Sequence, residues 1–375
     1  NENKVLNVPH LRFPEFSGEW NKYTINDLAT VVGGGTPDTT VKSYWGGDIQ
    51  WFTPSEIGKN KYVDFSKRTI TRDGLDNSSA KLLPLHTILL SSRATVGECS
   101  IASNECTTNQ GFQSLIAKQC NIDFLYYLIQ TKKKDLIRNA CGSTFLEISA
   151  NEIRKIKVAV PVQNEQEQIA KLLSLIDERI ATQNKIIEKL QSLIKGIAQH
   201  CIKESTSGNT YVKLGDICQI TTGKLDANAQ VDNGIYPFFT CAEQPFKIDS
   251  FAFDTEALLI SGNGANLGYI NYYKGKFNAY QRTYVLDLFS ENIQYIKWAL
   301  KVLLPKRIAI EKSSSNTPYI VLSTLTDLRL PIPCKSKQSF IANLMQSLER
   351  KLSNQIAQYD SYNYLKQYLL RQMFI

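Results

Sequence analysis

The sequence predicts a mixed α/β protein with two tandem domains, each followed by a long helix. The two helices are expected to pair as an antiparallel coiled coil with pseudo-two-fold symmetry. Three observations predict this: an amphipathic phrase that occurs twice, a heptad seam inside each copy, and a strand-rich pattern repeated ahead of each seam.

Residues 165–180 read EQEQIAKLLSLIDERI, and residues 337–352 read KQSFIANLMQSLERKL. From the first copy onward, apolar residues fall at Ile169, Leu173, Ile176, Ile180, Ile187, Leu190, Ile194, Ile197 and Cys201, with Gln183 filling the slot between Ile180 and Ile187. Alternating steps of four and three are the 3.5-residue period of a helix that buries one stripe against a partner. The second copy gives Ile341, Met345, Leu348, Leu352, Tyr359, Tyr362, Lys366, Leu369 and Met373, with Gln355 in the same slot. A polar residue in a seam costs stability but penalises slipped registers, so the matched Gln183 and Gln355 are expected to set the register of two helices that dock on each other. Each seam would also suit the core face of a surface helix. The repetition favours the coil.

The duplication extends into the domains. ISANEIRKIKVAVP (148–161) echoes LSTLTDLRLPIP (322–333), ILLSSRATVG (88–97) echoes LLISGNGANLG (258–268), and YTINDLATVVGGG (23–35) echoes VKLGDICQITTG (212–223). These matches pair Asp27 with Asp216, Gly34 with Gly223 and Gln110 with Gln281. The runs TILLSS and ALLIS read as buried strands, YPFFT and YVLDL as aromatic and β-branched strands, and IDFLYYLIQTKKKDLI and IQYIKWALKVLL as helices that pack on the sheets. The predicted divisions are an N-terminal lead over 1–21, a first domain over 22–160, a central helix over 161–204, a second domain over 205–333 and a second helix over 334–375. KESTSGNTY (203–211) has the composition of a linker.

At 375 residues the chain exceeds what one core usually holds, and 43% hydrophobic with 21% charged residues is ordinary globular composition. The formal net charge of +8 suits a polyanionic partner without requiring one. No run approaches the roughly 20 apolar residues of a membrane span, and the first twenty residues lack a signal-peptide core, so a cytoplasmic protein is expected. The eight cysteines are scattered without a C-x-x-C pair, and with three histidines they predict no metal site. Gly33–Gly35 has no G-x-G-x-x-G continuation and reads as a turn, and TTGKLD lacks P-loop spacing.

In their order along the chain, LRFPEFSGEW, DLATVVGGGTP, WFTPSEI, SSRATVGECSIA, TNQGFQSLI, EISANEIRKIKVAVP and EQEQIAKLLSLIDERI resemble the specificity subunit of a Type I restriction-modification system. The resemblance covers essentially the whole chain; the second half follows it more loosely, with SGNGANLG standing where the first has SSRATVG. It implies two target recognition domains, each followed by a constant helix, that read a bipartite, asymmetric double-stranded DNA site. It also implies two copies of a methyltransferase (modification) subunit and a restriction/translocase subunit as partners. S-adenosylmethionine and ATP would then be held by those partner subunits and no cofactor by this chain. Consistently, no [ND]-P-P-[FYW] tetrapeptide and no cofactor loop occur here, so the chain is expected to be non-catalytic.

DNA recognition requires donors and acceptors at base edges and cations on phosphates. In the first half the candidates are Arg93 with Ser91, Ser92 and Thr95, then Asn109, Gln110, Trp45, Tyr44, Lys42 and Thr36, and the basic residues Lys59, Lys61, Lys67, Arg68 and Arg72. In the second half they are Lys224, Asn263, Asn266, Gln281 and Arg282, with Lys312, Ser315, Asn316 and Thr317 in EKSSSNTPY. Each of these, taken singly, also suits a solvated surface or turn residue. Trp51 and Phe112 suit a core, and the lysine run 132–134 suits a solvated helix end. A competing reading is a non-catalytic two-domain protein whose coil presents binding domains to a partner other than nucleic acid. A third is a fused methyltransferase, whose motifs the chain lacks.

Overall fold

The computed structural model describes residues 7–142, 146–205, 210–311 and 319–375. The chain divides into two compact units, Asn1–Asn184 with Gln358–Ile375, and Lys185–Ala357. Among the described residues no helix is long and apolar enough to cross a membrane.

In the first unit, the short strand Asn21–Thr24 pairs antiparallel with Lys157–Val160, so the approach to the domain and the exit from it lie side by side. The main sheet has five strands in the order Ala29–Gly33, Gln113–Ala117, Ile88–Leu90, Cys99–Ala102 and Tyr62–Val63. Its first three pairings are antiparallel and the last is parallel. A second sheet orders Arg68–Ile70, Trp45–Phe52 and Cys106–Thr108.

The second unit repeats the scheme. Thr210–Lys213 pairs antiparallel with Arg329–Ile332. A six-stranded sheet then runs Gln219–Thr222, Thr283–Asp287, Phe253–Ser261, Ile270–Ala279, Tyr236–Phe239 and Phe246–Ile248. Its first three pairings match the antiparallel pairings of the first unit strand for strand.

The central strands are apolar throughout because both faces are covered. Ile88 and Leu90 join one core while Leu89 joins another, and Leu258 and Ile260 are separated from Ala257 and Leu259 in the same way. Strand side chains alternate between faces, so a run without polar alternation marks a strand buried on both. The helix Ile122–Thr131 covers the first sheet and Ile293–Glu311 belongs to the second unit's core. Each helix is started by an asparagine. The Asn121 side chain accepts the Phe124 N–H at 2.9 Å, and the Asn292 side chain accepts those of Gln294 and Tyr295 at 3.0 Å each.

The long helices are Gln163–Glu204 and Lys335–Gln372. Every expected seam position in both is buried or half-buried, Gln183 and Gln355 included, while most residues between them are exposed. In the first unit Ile169, Leu173 and Ile176 share a core with Leu369, Leu370, Met373 and Phe374. In the second, Leu190, Ile194, Ala198 and Ile202 share one with Ile341 and Met345. The pairing is antiparallel, early turns of one helix against late turns of the other.

Polar contacts fix each domain on its helix. Asp177 accepts the Tyr127 hydroxyl at 2.7 Å and pairs with Lys366 at 2.7 Å; burial first, and then this carboxylate, pushes the Tyr127 hydroxyl far above its usual range. Glu349 pairs with Lys297 at 2.7 Å and with Lys301 at 3.2 Å. The lead segment is held through Arg12, which grips the fully buried Glu165 with two 2.7 Å bonds, and Trp20 Nε1 donates to the same carboxylate at 3.2 Å. That hydrogen bonding raises the Arg12 guanidinium above its already high value.

Candidate nucleic-acid interface

The first strand of the main sheet ends at Gly33, and the chain turns hard against its neighbour. A Cβ on Gly34 would lie 2.0 Å from the Asn109 carbonyl oxygen, so only glycine fits there. Gly35 N–H donates to the Thr108 carbonyl at 2.8 Å, which brings the Thr36 hydroxyl into a short hydrogen bond with the Gln110 side chain. Asn109 folds its own side chain onto the Gly111 N–H at 2.9 Å.

Beside this turn, Ile88–Leu90 exits into a closed loop. Ser91 N–H donates to Glu98 O at 2.8 Å, Gly97 N–H returns to Ser91 O at 3.0 Å, and the Ser91 and Thr95 hydroxyls meet at 2.9 Å. Ser92 N–H reaches Gly111 O at 2.9 Å, joining the loop to the Gln110 turn. Ala94 sits at the tip with φ 62°, a left-handed conformation that costs a non-glycine residue energy. Pro54, Arg93, Ala94, Asn109, Gln110 and Gly111 line an open groove of about 300 Å³.

Trp51 Nε1 donates to the Gly35 carbonyl at 2.9 Å, and Trp45 meets the Trp51 ring edge-on at 5.0 Å. The exposed Arg68 guanidinium sits over Trp45, its carbon 3.6 Å from the ring centre. Stacking holds a guanidinium without consuming its N–H donors. Trp45 Nε1 donates to the Asp38 carbonyl at 3.1 Å, and the N–H and hydroxyl of Thr40 hold the Asp38 carboxyl below the usual range. Thr36, Gln110, Asn109, Arg93, Trp45 and Arg68 thus form one connected surface.

Other expected residues lie elsewhere. Ser91 and Ser92 are fully buried beneath the loop, because the apolar strand continues through them. Lys61 is drawn away: its ammonium binds Asp123 at 2.7 Å and the Ser174 hydroxyl at 2.6 Å on the first long helix, leaving the side chain 8% exposed. Arg72 is exposed and pairs with Asp76 at 3.3 Å. Lys42, Lys59 and Lys67 are exposed, Thr95 is exposed at the loop, and Tyr44 is half-buried with its carbonyl accepting Thr71 N–H at 2.9 Å. Trp51 and Phe112 are core residues, as expected.

The second unit builds the same framework with other side chains. A Cβ on Gly223 would lie 1.9 Å from the Ala279 carbonyl oxygen. Gly268 N–H closes its loop on Ser261 O at 2.8 Å, and Gly262 N–H donates to Arg282 O at 2.8 Å. Gly264, with φ 80°, takes the left-handed tip conformation. Asn263 and Asn266 are half-buried, the latter donating to Cys241 O at 3.0 Å; Lys224, Gln281 and Arg282 are exposed. Lys312, Ser315, Asn316 and Thr317 lie outside the described residues.

Sequence reasoning missed Gln166, Gln338, Asp177 and Glu349, which dock the domains, and Glu147, whose carboxylate lies 3.8 Å from Arg93. The repeat itself offered a signal for the glutamines, since both stand at the same place in the duplicated phrase. Among the described residues no group of three or more His, Cys, Asp or Glu side chains is placed to hold a metal ion.

The family model for the Type I restriction modification DNA specificity domain matches the chain twice, over residues 17–192 and 206–359. The MjaIX specificity subunit of Methanocaldococcus jannaschii is 30% identical, over 90% of this chain and 88% of that protein. The EcoDI specificity subunit of Escherichia coli is 44% identical over 36% of this chain and 30% of its own length. The crystal structure of a Type I restriction-modification S subunit from M. genitalium has the same fold, with a TM-score of 0.66 at 20% identity, covering 98% of this chain and 99% of that one. With one family domain in each half of the duplication, the chain belongs to the Type I restriction-modification DNA specificity family.

Proposed function

We propose that this chain is the address-reading subunit of a Type I restriction-modification complex, recognising a bipartite, asymmetric double-stranded DNA site and positioning methyltransferase and restriction subunits on it. One observation carries the reading: two family domains build the same loop framework, and different side chains occupy its equivalent positions, Arg93 in one and Asn263 in the other. A shared framework with altered readers suits two unlike half-sites. Thr36, Asn109, Gln110, Arg93 and Arg68 in the first unit, and Lys224, Asn266, Gln281 and Arg282 in the second, are the contacts we favour.

The chemistry belongs to the partners. S-adenosylmethionine and ATP are expected on the methyltransferase and restriction subunits, and two copies of the methyltransferase subunit suit a chain that presents duplicated surfaces. Gln183 and Gln355 would keep the helices in register. The complex would act in the cytoplasm, where the DNA is. Methylome sequencing of cells with and without the gene tests the reading: one bipartite methylated motif should vanish on deletion. An unchanged methylome would favour a partner other than DNA.

A further inference from the structure

Arg93 and Glu147 face each other across an antiparallel bridge. The flanking bonds, Ala94 N–H to Leu146 O at 3.0 Å and Ile148 N–H to Ser92 O at 2.9 Å, make them a pair without mutual backbone bonds, the arrangement in which cross-strand side chains stand closest. Guanidinium and carboxylate are 3.8 Å apart, each about half exposed. Two further 2.9 Å bonds tie the Glu147 backbone to Cys141, so the main chain that carries the carboxylate is held opposite Arg93, which itself lines the groove.

The second unit uses the same device. Asn263 opposes Tyr319 in an antiparallel bridge, and Ile320 N–H donates to the Gly262 carbonyl at 2.8 Å, as Ile148 does to Ser92. Tyr319 is exposed. One backbone bridge therefore carries an ion pair in one unit and an amide with a phenol in the other.

An exposed ion pair adds little to stability. A carboxylate beside an arginine also repels phosphates, which makes that arginine a poor backbone contact. At a base edge the pair is apt: arginine donates bidentately to guanine O6 and N7, and glutamate accepts from cytosine N4. Asparagine matches adenine N6 and N7, and an aromatic ring beside it suits the thymine methyl. Resting on the DNA-recognition reading above, we propose that each bridged pair reads one base pair of its half-site, Arg93 with Glu147 a G·C pair and Asn263 with Tyr319 an A·T pair.

The test is methylome sequencing of cells carrying variants of the gene at its native locus. Replacing Arg93→Asn together with Glu147→Tyr should change one position of one half-site from G·C to A·T, with methylation of the original sites falling roughly tenfold to a hundredfold. The other half-site should stay as it was. Arg93→Lys and Glu147→Gln keep the size and exposure of each residue and should relax that same position. A wild-type motif retained unchanged in all three variants, or a change in both half-sites, would overturn the pairing while leaving the DNA reading intact. A wild-type strain with no motif that depends on the gene would overturn the DNA reading and the pairing together. Should the double variant fail to accumulate, the two conservative variants decide by the same criteria.

Discussion

Gln166 and Gln338 hold the same position in their respective units and make the same two bonds to the backbone. Gln166 donates to the Pro161 carbonyl at 2.9 Å and accepts the Asn121 N–H at 3.0 Å, while Gln338 donates to the Pro333 carbonyl at 2.9 Å and accepts the Asn292 N–H at 3.0 Å. Each amide ties the first turn of a long helix both to the strand that enters it and to the start of the domain's own helix.

Gln166→Ala leaves a buried carbonyl and the Asn121 N–H without this partner, which should cost about 1–3 kcal/mol. Hydrogen exchange read by mass spectrometry should show faster exchange at 121–131 and no change at 293–304. Gln338→Ala should do the reverse. Equal loosening of both units by either change would show that the clamps are not local.

Glu165→Gln removes the anionic partner of a half-buried Arg12 that keeps its bonds to the Gly18 and Ser17 carbonyls, a loss that should cost about 1–3 kcal/mol. Residues 7–20 should become sensitive to limited proteolysis. The Trp20 indole should also report it, since its Nε1 bond to Glu165 weakens. A segment that stays protected would mean that the packing of Trp20 against Phe124 and Phe374 suffices.

Burial pushes the Cys99, Cys106 and Cys120 thiols up to about 12 each. Unfolded thiols ionise near pH 9, so the folded state binds more protons between pH 9 and 12. The stability these thiols contribute is complete below pH 9 and falls as pH rises toward 12, by about 1.4 kcal/mol per pH unit for each thiol. Denaturation midpoints of the wild type should drop steeply in that window. Replacing Cys106 with Ala should flatten the slope, and an unaltered slope would assign the drop to other groups.

Cys334 moves the other way. The Ser336 hydroxyl, 3.2 Å from its sulfur, and the Lys337 N–H hold this exposed thiol below its usual range. Iodoacetamide should modify Cys334 faster near pH 7.5 than it modifies free N-acetylcysteine, and Ser336→Ala should slow it. Equal rates for the variant and the wild type would dismiss the hydroxyl as the cause.

Replacing residues 22–160 with the matching segment of a relative should change one half-site of the methylated motif and leave the other intact, because each unit carries its own sheet and loops. A motif altered in both halves would count against independent modules.

The sequence by itself determined the seams, the duplication and the buried strands. Periods of 3.5 and 2 are properties of the local chain, and burial follows them wherever a partner surface exists. Ile169, Leu173 and Ile176 are buried because their spacing puts them on one stripe, and Ile88–Leu90 is buried on both faces because it carries no polar alternation. Gly34 was legible as a turn. That it must be glycine came from the Asn109 carbonyl, far away in sequence. The tertiary structure alone decided which partners the polar residues take. Arg93 and, after it, Lys61 were both expected at the DNA, but closing the chain on itself placed Lys61 against Asp123 and Ser174 and put Arg93 at a groove opposite Glu147. Partners separated by long stretches of chain are chosen by how the sheets and helices close, and no local pattern of residues records that choice.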